Sequence, residues 1–350
     1  MTEKQNIRHL NLEELQQQFL ELGEPKFRAG QIWQWLWQKG APGFHEMTNL
    51  PKPFREKLEA HYDVYKMAVS DRQLSSDKTI KFGFKLYDNE FVEGVLIPQD
   101  SRMTACISSQ VGCSLTCSFC ATARLPRKRN LFFDEIYDQV DMINRMSIES
   151  YGIHLSNIVF MGMGEPLLNY SQVMKAIERI TAEDGLGMSP KRITLSTAGI
   201  AKMIKKLGDD NVKFNLAVSL HAANDEKRNK IMPINETNSL SALSEAIIYF
   251  YEKTGTRITY EYVMLQDEND TPTDAEELAR FAKLVPSKIN LIEYNPIENG
   301  IYQKSSGNAM HRFKDLLEDA GCIVNIRRSR GQDIDAACGQ LANRQLASHS

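Results

Sequence analysis

The sequence predicts an α/β fold built on a parallel sheet, and three observations carry that prediction. From Met103 onward short apolar strands alternate with amphipathic helices. Repeated strand–helix units run parallel and join by right-handed crossovers, in a sheet that is open or curled into a barrel. The chemically distinctive residues fall just past the carboxyl ends of those strands, where such sheets carry their sites. With 42% apolar residues in 350, the chain has room for one large domain and a smaller one.

Composition narrows the class further. Formal net charge is −3, which decides nothing about nucleic acid, because binding depends on local patches. The longest apolar runs fall far short of a membrane span, and MTEKQNIRHLNLEEL has no apolar signal core. Six cysteines in 350 residues do not make a disulfide scaffold. The expectation is a cytoplasmic protein with mostly reduced thiols and no membrane partner.

Residues 1–63 read as a small helical domain. LNLEELQQQFLELG carries Leu12, Leu15, Phe19 and Leu22 at helical spacing and stops at Gly23. FRAGQIWQWLWQKG and PKPFREKLEAHY are two more short helices. Trp33, Trp35 and Trp37 suit core packing better than a base-stacking surface. Residues 64–100 switch to period two and predict a linking β-hairpin. Ile80, Phe82, Phe84 and Leu86 share one face, Asp88-Asn89 makes the turn, and the return strand aligns Phe91, Glu93, Val95 and Ile97. A carboxylate in that row is out of place unless the strand is an edge or a lysine pairs with it.

Residues 101–342 form the core, with strands MTACISSQ, NIVFMG, RITLST, KFNLAVSLH, RITYEYVML, INLIEYN and CIVNIRR. FDEIYDQVDMINRM and DAEELARFAKLV are typical of the helices between them. Residues 343–350 read as a flexible tail.

After the first core strand, SSQVGCSLTCSFCATA packs Cys113, Cys117 and Cys120 into eight residues. Thiolates at this spacing in a chain without secretory features usually hold a metal. Zinc and ordinary iron–sulfur clusters take four protein ligands, so three suggest a position left open. Zinc completed by a distant residue such as Cys106 is the alternative, although structural zinc motifs normally come as two ligand pairs. The C-x3-C-x2-C spacing with Phe119 before the last cysteine resembles the radical S-adenosylmethionine superfamily. That resemblance implies a 4Fe–4S cluster on the three cysteines, with its free iron taking the amino and carboxylate groups of S-adenosylmethionine. GMGEP resembles the superfamily motif for the methionine amino group, which assigns Gly164 and Glu165 to the cofactor. Its glycines are expected to let the backbone approach the ligand. Ser196, Ser219-Leu220-His221 and Asn295, at later strand ends, offer groups for ribose, carboxylate and adenine, though each is also an ordinary polar strand terminus.

The resemblance becomes specific over residues 91–342. CISSQVGCSLTCSFCATA, FMGMGEPLLNY, ITLSTAG, VSLHAANDEKRNKIMPIN, EYNPIENG and RRSRGQDIDAACGQL together resemble the RlmN/Cfr family of radical RNA adenine methyltransferases. The N-terminal EPKFRAGQIWQWLW is similar to that family as well, and the resemblance makes residues 1–63 an accessory RNA-binding domain. The fold it implies is a partial (β/α)6-type radical S-adenosylmethionine barrel. Adenine carbon 2 is electron-poor and will not attack a sulfonium methyl, whereas a thiolate will. In the chemistry the family implies, Cys338 takes a methyl from a first S-adenosylmethionine, and a second, cleaved at the cluster, yields the radical that activates that methyl. After addition to the base, Glu93 removes the carbon 2 proton, which desolvation on an apolar face would favour. Cys106 then attacks the Cys338 sulfur and leaves a transient Cys106–Cys338 disulfide for cellular thiols to reduce. Cys322 matches no such position and reads as structural.

The implied substrates are the adenosine at position 2503 of 23S rRNA, before full ribosome assembly, and adenosine 37 of a subset of tRNAs, with a reductase as electron source. Methylation of carbon 8 of the same rRNA base is the sister reaction. Pro166 and Leu168 stand where the carbon 8 branch has small residues, which favours carbon 2. Two basic runs flank the motifs: Arg124, Arg127, Lys128 and Arg129 after the cysteine loop, and Arg327, Arg328 and Arg330 before Cys338. They read as phosphate contacts for an RNA whose target base is flipped out. A non-catalytic RNA-binding protein with structural zinc is a rival from another class. A radical activase of a partner protein is a third reading, but it has no use for Cys106 and Cys338 as a pair.

Overall fold

The structure is a computed structural model and describes residues 4–342. The expected tail, 343–350, lies outside the described residues. At the N-terminus β1 (Gln5–Asn6) pairs in parallel with β2 (Tyr62–Asp63) and closes the helical segment at its base. Between them lie α1 (Leu12–Glu21), α2 (Phe27–Trp37) and α3 (Lys52–His61). A reciprocal Asn11–Glu14 capping box starts α1, which buries Leu15 and Phe19, the latter edge-on to Phe54 of α3. Trp37 is buried, and Trp33 and Trp35 pack partly against the core, as expected for core-facing indoles.

Four strands follow in antiparallel order: β3 (Ala68–Leu74), β4 (Ile80–Lys85), β5 (Phe91–Gln99) and β6 (Arg102–Cys106). The hairpin is where the sequence puts it, with Asn89 at positive φ in the turn. It is continuous with the main sheet through the β5–β6 pairing, and β3 is an additional strand. The run AVSDRQL is mostly exposed, so it carries no apolar alternation to announce itself. Next, β7 (Gln110–Val111) pairs with β8 (Arg129–Asn130) off the main sheet and closes the neck of the three-cysteine loop.

From β6 the sheet turns parallel. It continues through β9 (Asn157–Phe160), β10 (Ile193–Thr197), β11 (Asn215–Ser219), β12 (Ile258–Met264), β13 (Ser287–Glu293) and β14 (Val324–Arg327). The connections are α4 (Phe133–Tyr151), α5 (Tyr170–Thr181), α6 (Ala201–Asp209), α7 (Asp225–Ile231) with α8 (Leu240–Thr254), α9 (Pro272–Ala282) and α10 (Gly307–Asp319). These are six strand–helix units and a seventh parallel strand. Strands β3 and β14 are the two edges of the sheet and do not pair, so the barrel is partial.

The helical segment is fastened to α4 by a buried ion network. The Arg8 guanidinium, fully buried, donates to both carboxylate oxygens of Asp138 at 2.7 Å. Lys66 reaches the same carboxylate at 2.8 Å, while His9 and Asn6 hold Asp134. A second, smaller apolar cluster sits at the carboxyl ends of the parallel strands. Leu115, Met232, Val263, Leu265 and Tyr294 build it, and Cys113, Cys117 and Phe119 pack on it.

Candidate active site

One cavity opens at the carboxyl ends of the parallel strands, with one side toward solvent. Cys113, Cys117, Cys120, Gly164, Glu165, Ser196, Ser219, His221, Asn295 and Cys338 all line it.

The cysteine loop is held on three sides. Lys128 N–H donates to the Val111 carbonyl at the neck, where Gly112 at positive φ lies so close to the Pro126 carbonyl that a Cβ would stand 2.3 Å from it. Ser118 N–H donates to the Ile231 carbonyl at the end of α7, and Ala121 N–H to the Gly339 carbonyl of the C-terminal strap. Burial pushes the Cys113 thiol up to about 11 and raises Cys117 and Cys120, and the charges of neighbouring thiols add to the rise. Among the described residues no three metal-binding side chains converge on a point as a single ion requires.

Glu165 follows the tight Gly162–Gly164 turn. Its Oε2 accepts from Ala198 N–H at 2.7 Å and its Oε1 from Leu167 N–H at 3.0 Å. Burial raises it above the usual carboxylate range against those hydrogen bonds, and among the described residues no basic side chain pairs with it. The glycines line the cavity and also make room for neighbouring backbone. A Cβ on Gly162 would stand 2.7 Å from the Ile107 backbone, and one on Gly164 2.5 Å from Gln110 Cβ. What they admit is the stem of the cysteine loop.

Ser196 and Ser219 bring their hydroxyls to 3.5 Å of each other on the cavity wall. His221, at positive φ, accepts from Val263 N–H through Nδ1 at 3.0 Å, which leaves the proton on Nε2. Burial, helped by the charge of Arg228, lowers its pKa to about 3, so the ring is a neutral donor. Leu220 does not reach the cavity. Its side chain lies in the main core, its N–H goes to the Glu261 carbonyl and its carbonyl to Arg228 Nε. Arg228 itself is wholly buried, its donors on the carbonyls of Ala198, Ser219 and Leu220 and on Asn235. Its charge opposes the rise in Cys117.

The strap crosses the mouth. Asn295 donates to the Cys338 carbonyl at 3.1 Å and accepts from Gln332 at 2.8 Å. Thr122 of the cysteine loop donates to the Leu341 carbonyl, and Ala342 N–H donates to Glu93 Oε2 at 2.8 Å. Cys338 is exposed, and Cys106, at the end of β6, is buried. Burial, then the charge of Cys338, pushes the Cys106 thiol up to about 12. Cys322 lies outside the cavity, half-buried against the main core.

Glu93 is not set among apolar groups alone. Register puts it opposite Gly83, beside Lys81, whose ammonium is 3.5 Å from Glu93 Oε1. The lysine pairing weighed for this position is the one present.

The basic runs divide. Arg129 is bound by Asp88 at 2.6 Å and by Glu135 at 2.7 Å, and Arg327 by Glu261 at 3.2 Å. Arg124 donates to the carbonyls of Glu298 and Asn299, Lys128 pairs with Glu90, and Arg330 lies 3.9 Å from Asp77. Arg127 and Arg328 are exposed. Glu261 is a cavity residue that sequence reasoning missed. Its signal was an acidic residue within the apolar strand RITYEYVML, the same anomaly that marked Glu93.

The donor set fits the group that the sequence suggested. Three half-buried thiols share a wall with a buried carboxylate that no basic side chain pairs with among the described residues, and beside them stand neutral hydrogen-bond donors. The thiols suit an iron–sulfur cluster and the carboxylate suits a ligand ammonium.

Comparison with known proteins agrees. Residues 107–282 match the radical SAM superfamily, and residues 5–64 match the ribosomal RNA large subunit methyltransferase N-terminal domain. The "Probable dual-specificity RNA methyltransferase RlmN" of Cytophaga hutchinsonii is 57% identical over 98% of this chain and 94% of its own. The protein of the same name from Christiangramia forsetii is 56% identical over 97% of each. The crystal structure of a radical SAM methyltransferase from Sphaerobacter thermophilus superposes with a TM-score of 0.91 at 37% identity, covering 96% of this chain and 99% of that one.

Proposed function

The chain belongs to the RlmN family of radical S-adenosylmethionine RNA methyltransferases, and on that premise we propose that it methylates carbon 2 of adenine through a methylated cysteine. The substrates in this reading are adenosine 2503 of 23S rRNA and adenosine 37 of a subset of tRNAs, as the relatives' dual-specificity name suggests. The observation that carries the reading is the strap. It brings Cys338 to the wall that holds Cys113, Cys117 and Cys120, within electrostatic reach of Cys106.

Cys113, Cys117 and Cys120 would hold the 4Fe–4S cluster, and Glu165, Gly164, Ser196, Ser219, His221 and Asn295 would surround S-adenosylmethionine. When bound, the cluster supplies the electron that cleaves the cofactor. Two cofactor molecules serve each turnover, one as methyl donor and one as radical source. Glu165 takes the methionine ammonium, which offsets its burial. His221 donates from Nε2 as a neutral ring. Cys338, exposed on the strap, is the methyl acceptor, because an exposed thiol at the cavity can meet first a cofactor and then a base. Glu93 takes the carbon 2 proton. Its contact with Ala342 N–H ties the base to the strap, and Lys81 holds the other oxygen. Cys106 resolves the adduct and forms a transient disulfide with Cys338.

RNA phosphates meet Arg124, Arg127, Lys128, Arg328 and Arg330, with Arg129 and Arg327 already engaged by carboxylates. A reductase delivers electrons. The reading includes a cytoplasmic location, where its RNA substrates are made; no described helix is long and apolar enough to cross a membrane. The test is anaerobic reconstitution with iron and sulfide, incubation with S-adenosylmethionine and a 23S rRNA fragment, and nucleoside mass spectrometry. Methyl at carbon 2 is expected. Methyl at carbon 8 would reassign the regiochemistry, and unmodified RNA from a reduced, iron-loaded protein would refute the reading.

A further inference from the structure

We propose that Ser108 is a positioning residue for the base of the reaction: its buried hydroxyl fastens the main chain of Glu93 to the 162–165 loop and so fixes the base relative to the cofactor site. The inference rests on the role given above to Glu93.

The geometry begins where a ladder ends. Pairing of β5 with β6 stops at Val95 and Cys106. Carried two residues further, that register would set Glu93 opposite Ser108. The chain turns away instead, and Ile107 N–H donates to the Val159 carbonyl of β9 at 3.0 Å. Across the gap that this opens, the Ser108 hydroxyl donates to the Glu93 carbonyl at 2.6 Å and accepts from Met163 N–H at 2.8 Å. A hydroxyl has one proton to give and lone pairs to receive, so a single side chain makes both bonds. Gly162 makes room for it, since a Cβ there would stand 2.7 Å from Ser108 Oγ. Glu93 N–H lies against the same loop, 3.4 Å from Met163 Sδ.

Ser108 is itself held from behind. Its N–H donates to Gln139 Oε1 of α4 at 2.9 Å, and its carbonyl accepts from Gln139 Nε2 at 3.1 Å. Ser108, Gln139 and Met163 have no exposure and Glu93 has 4%, so no solvent stands ready to replace a lost bond. The two ends of the bridge depend on it unequally. The Met163 carbonyl also accepts from Ser109 N–H at 2.8 Å and from Gln110 N–H at 3.2 Å, and Gln110 Oε1 accepts from Glu165 N–H at 2.9 Å. Those ties hold the cofactor loop when the hydroxyl is removed. The main chain of Glu93 loses its bridge and keeps a weak thioether contact. Its carboxylate is shared between Lys81 and the Ala342 N–H of the strap, so a shift of β5 at this point moves the base relative to the mouth.

The step served is removal of the carbon 2 hydrogen. The C–H bond of the adduct breaks, its proton passes to a carboxylate oxygen of Glu93, and its electron pair stays in the purine ring. A base acts only within hydrogen-bond reach of the proton it takes, and small misplacements cost rate steeply. Without the Ser108 hydroxyl, cofactor cleavage and methyl transfer to Cys338 continue, and loss of the carbon 2 proton becomes slow.

The experiment measures one step against the others in a single turnover. Reconstituted holoenzyme is given S-adenosylmethionine, reductant and a 23S rRNA fragment with protium or deuterium at carbon 2 of the target adenosine. Mass spectrometry follows 2-methyladenosine, 5′-deoxyadenosine and methylated Cys338. Ser108→Ala should form 2-methyladenosine more slowly by on the order of tenfold. Its protium-to-deuterium rate ratio should exceed that of the parent, because C–H cleavage has become the slow step. Release of 5′-deoxyadenosine and methylation of Cys338 should match the parent. Ser108→Thr, which keeps the hydroxyl, should recover most of the rate. Ser108→Cys, of similar size with a weaker donor and acceptor, replaces the Ala variant if that one does not fold, and should shift rate and ratio in the same direction. The proposal is overturned by a parent rate in Ser108→Ala, by slowing with an unchanged isotope ratio, or by slowing matched by an equal loss of 5′-deoxyadenosine, as a purely structural serine would give. Glu93→Gln is run beside them and should methylate Cys338 without making 2-methyladenosine. If it makes the product at the parent rate, the assignment of the base is wrong. If it makes none while Ser108→Ala behaves as the parent, the base stands and Ser108 does not position it.

Discussion

Two regions of this molecule bury titratable groups, and they do so in opposite ways. Where the N-terminal helices meet α4, Arg8 has no exposure, yet Asp138 takes both of its terminal nitrogens and Asp134 lies 3.7 Å away. Lys66, His9 and Asn6 complete the set. At the carboxyl ends of the parallel strands, and among the described residues, Glu165 has only backbone and hydroxyl partners, Arg228 has only neutral hydrogen-bond acceptors, and three thiols crowd one wall. A buried charge with a partner is compatible with a structural role. Buried ionisable groups without an ionic partner suit a site completed by a ligand.

Breaking each region separately tests that contrast. The largest effect belongs to the thiol wall. Cys117→Ala should lose reductive cleavage of S-adenosylmethionine to background, read as 5′-deoxyadenosine release. Its metal-free fold should stay within about 1 kcal/mol of the parent in urea. Release at the parent rate would remove Cys117 from the cluster.

The next effect is the converse. Arg8→Met leaves Asp134 and Asp138 buried without their main cation, so it should cost roughly 3–5 kcal/mol of stability. The protein that remains folded should still take up iron and sulfide. A variant with parent stability in urea would show that the network does not hold the helical segment.

A smaller effect comes from pH. Burial would raise Asp134, but His9, Arg8 and Asn6 outweigh it and hold its carboxyl below the ordinary 3.8. A depressed carboxylate contributes stability above its unfolded pKa and loses it as pH falls through the folded value. The urea midpoint of the metal-free protein should therefore drop below pH 3.8, and Asp134→Asn should flatten that drop. A drop of equal depth in the Asn variant would assign it to other groups.

The sequence made these two regions unequally visible. Cysteine spacing and the strand-end position of GMGEP and Ser196 marked the cavity, because local order fixes both. The N-terminal network was invisible, since Arg8 and Asp138 are 130 positions apart and meet only through docking. Cys106 and Cys338 had no local signature and came from resemblance alone. Glu93 was noticed as an anomaly, but its lysine partner depends on the β4–β5 register, which places Lys81 on its face. Arg327 and Arg129 looked like free cations because a basic run does not disclose the carboxylates that other strands bring to it. Neutralising Arg127 and Lys128 gives the smallest effect: a shallower salt dependence of RNA binding by somewhat under two counterions, with cofactor cleavage unchanged. An unchanged slope would assign both to ordinary surface.

In the proposed function the cavity wall does its chemistry through two cysteines with different roles. The direct measurement is a denaturing gel of Cys106→Ala and Cys338→Ala expressed in cells, with nuclease treatment to identify attached RNA. A protein–RNA adduct is expected in Cys106→Ala, which can be methylated and can add to the base but cannot resolve. None is expected in Cys338→Ala, which has nowhere to carry the methyl. No adduct in either variant, with methylated RNA still produced, would contradict those roles and leave both thiols structural.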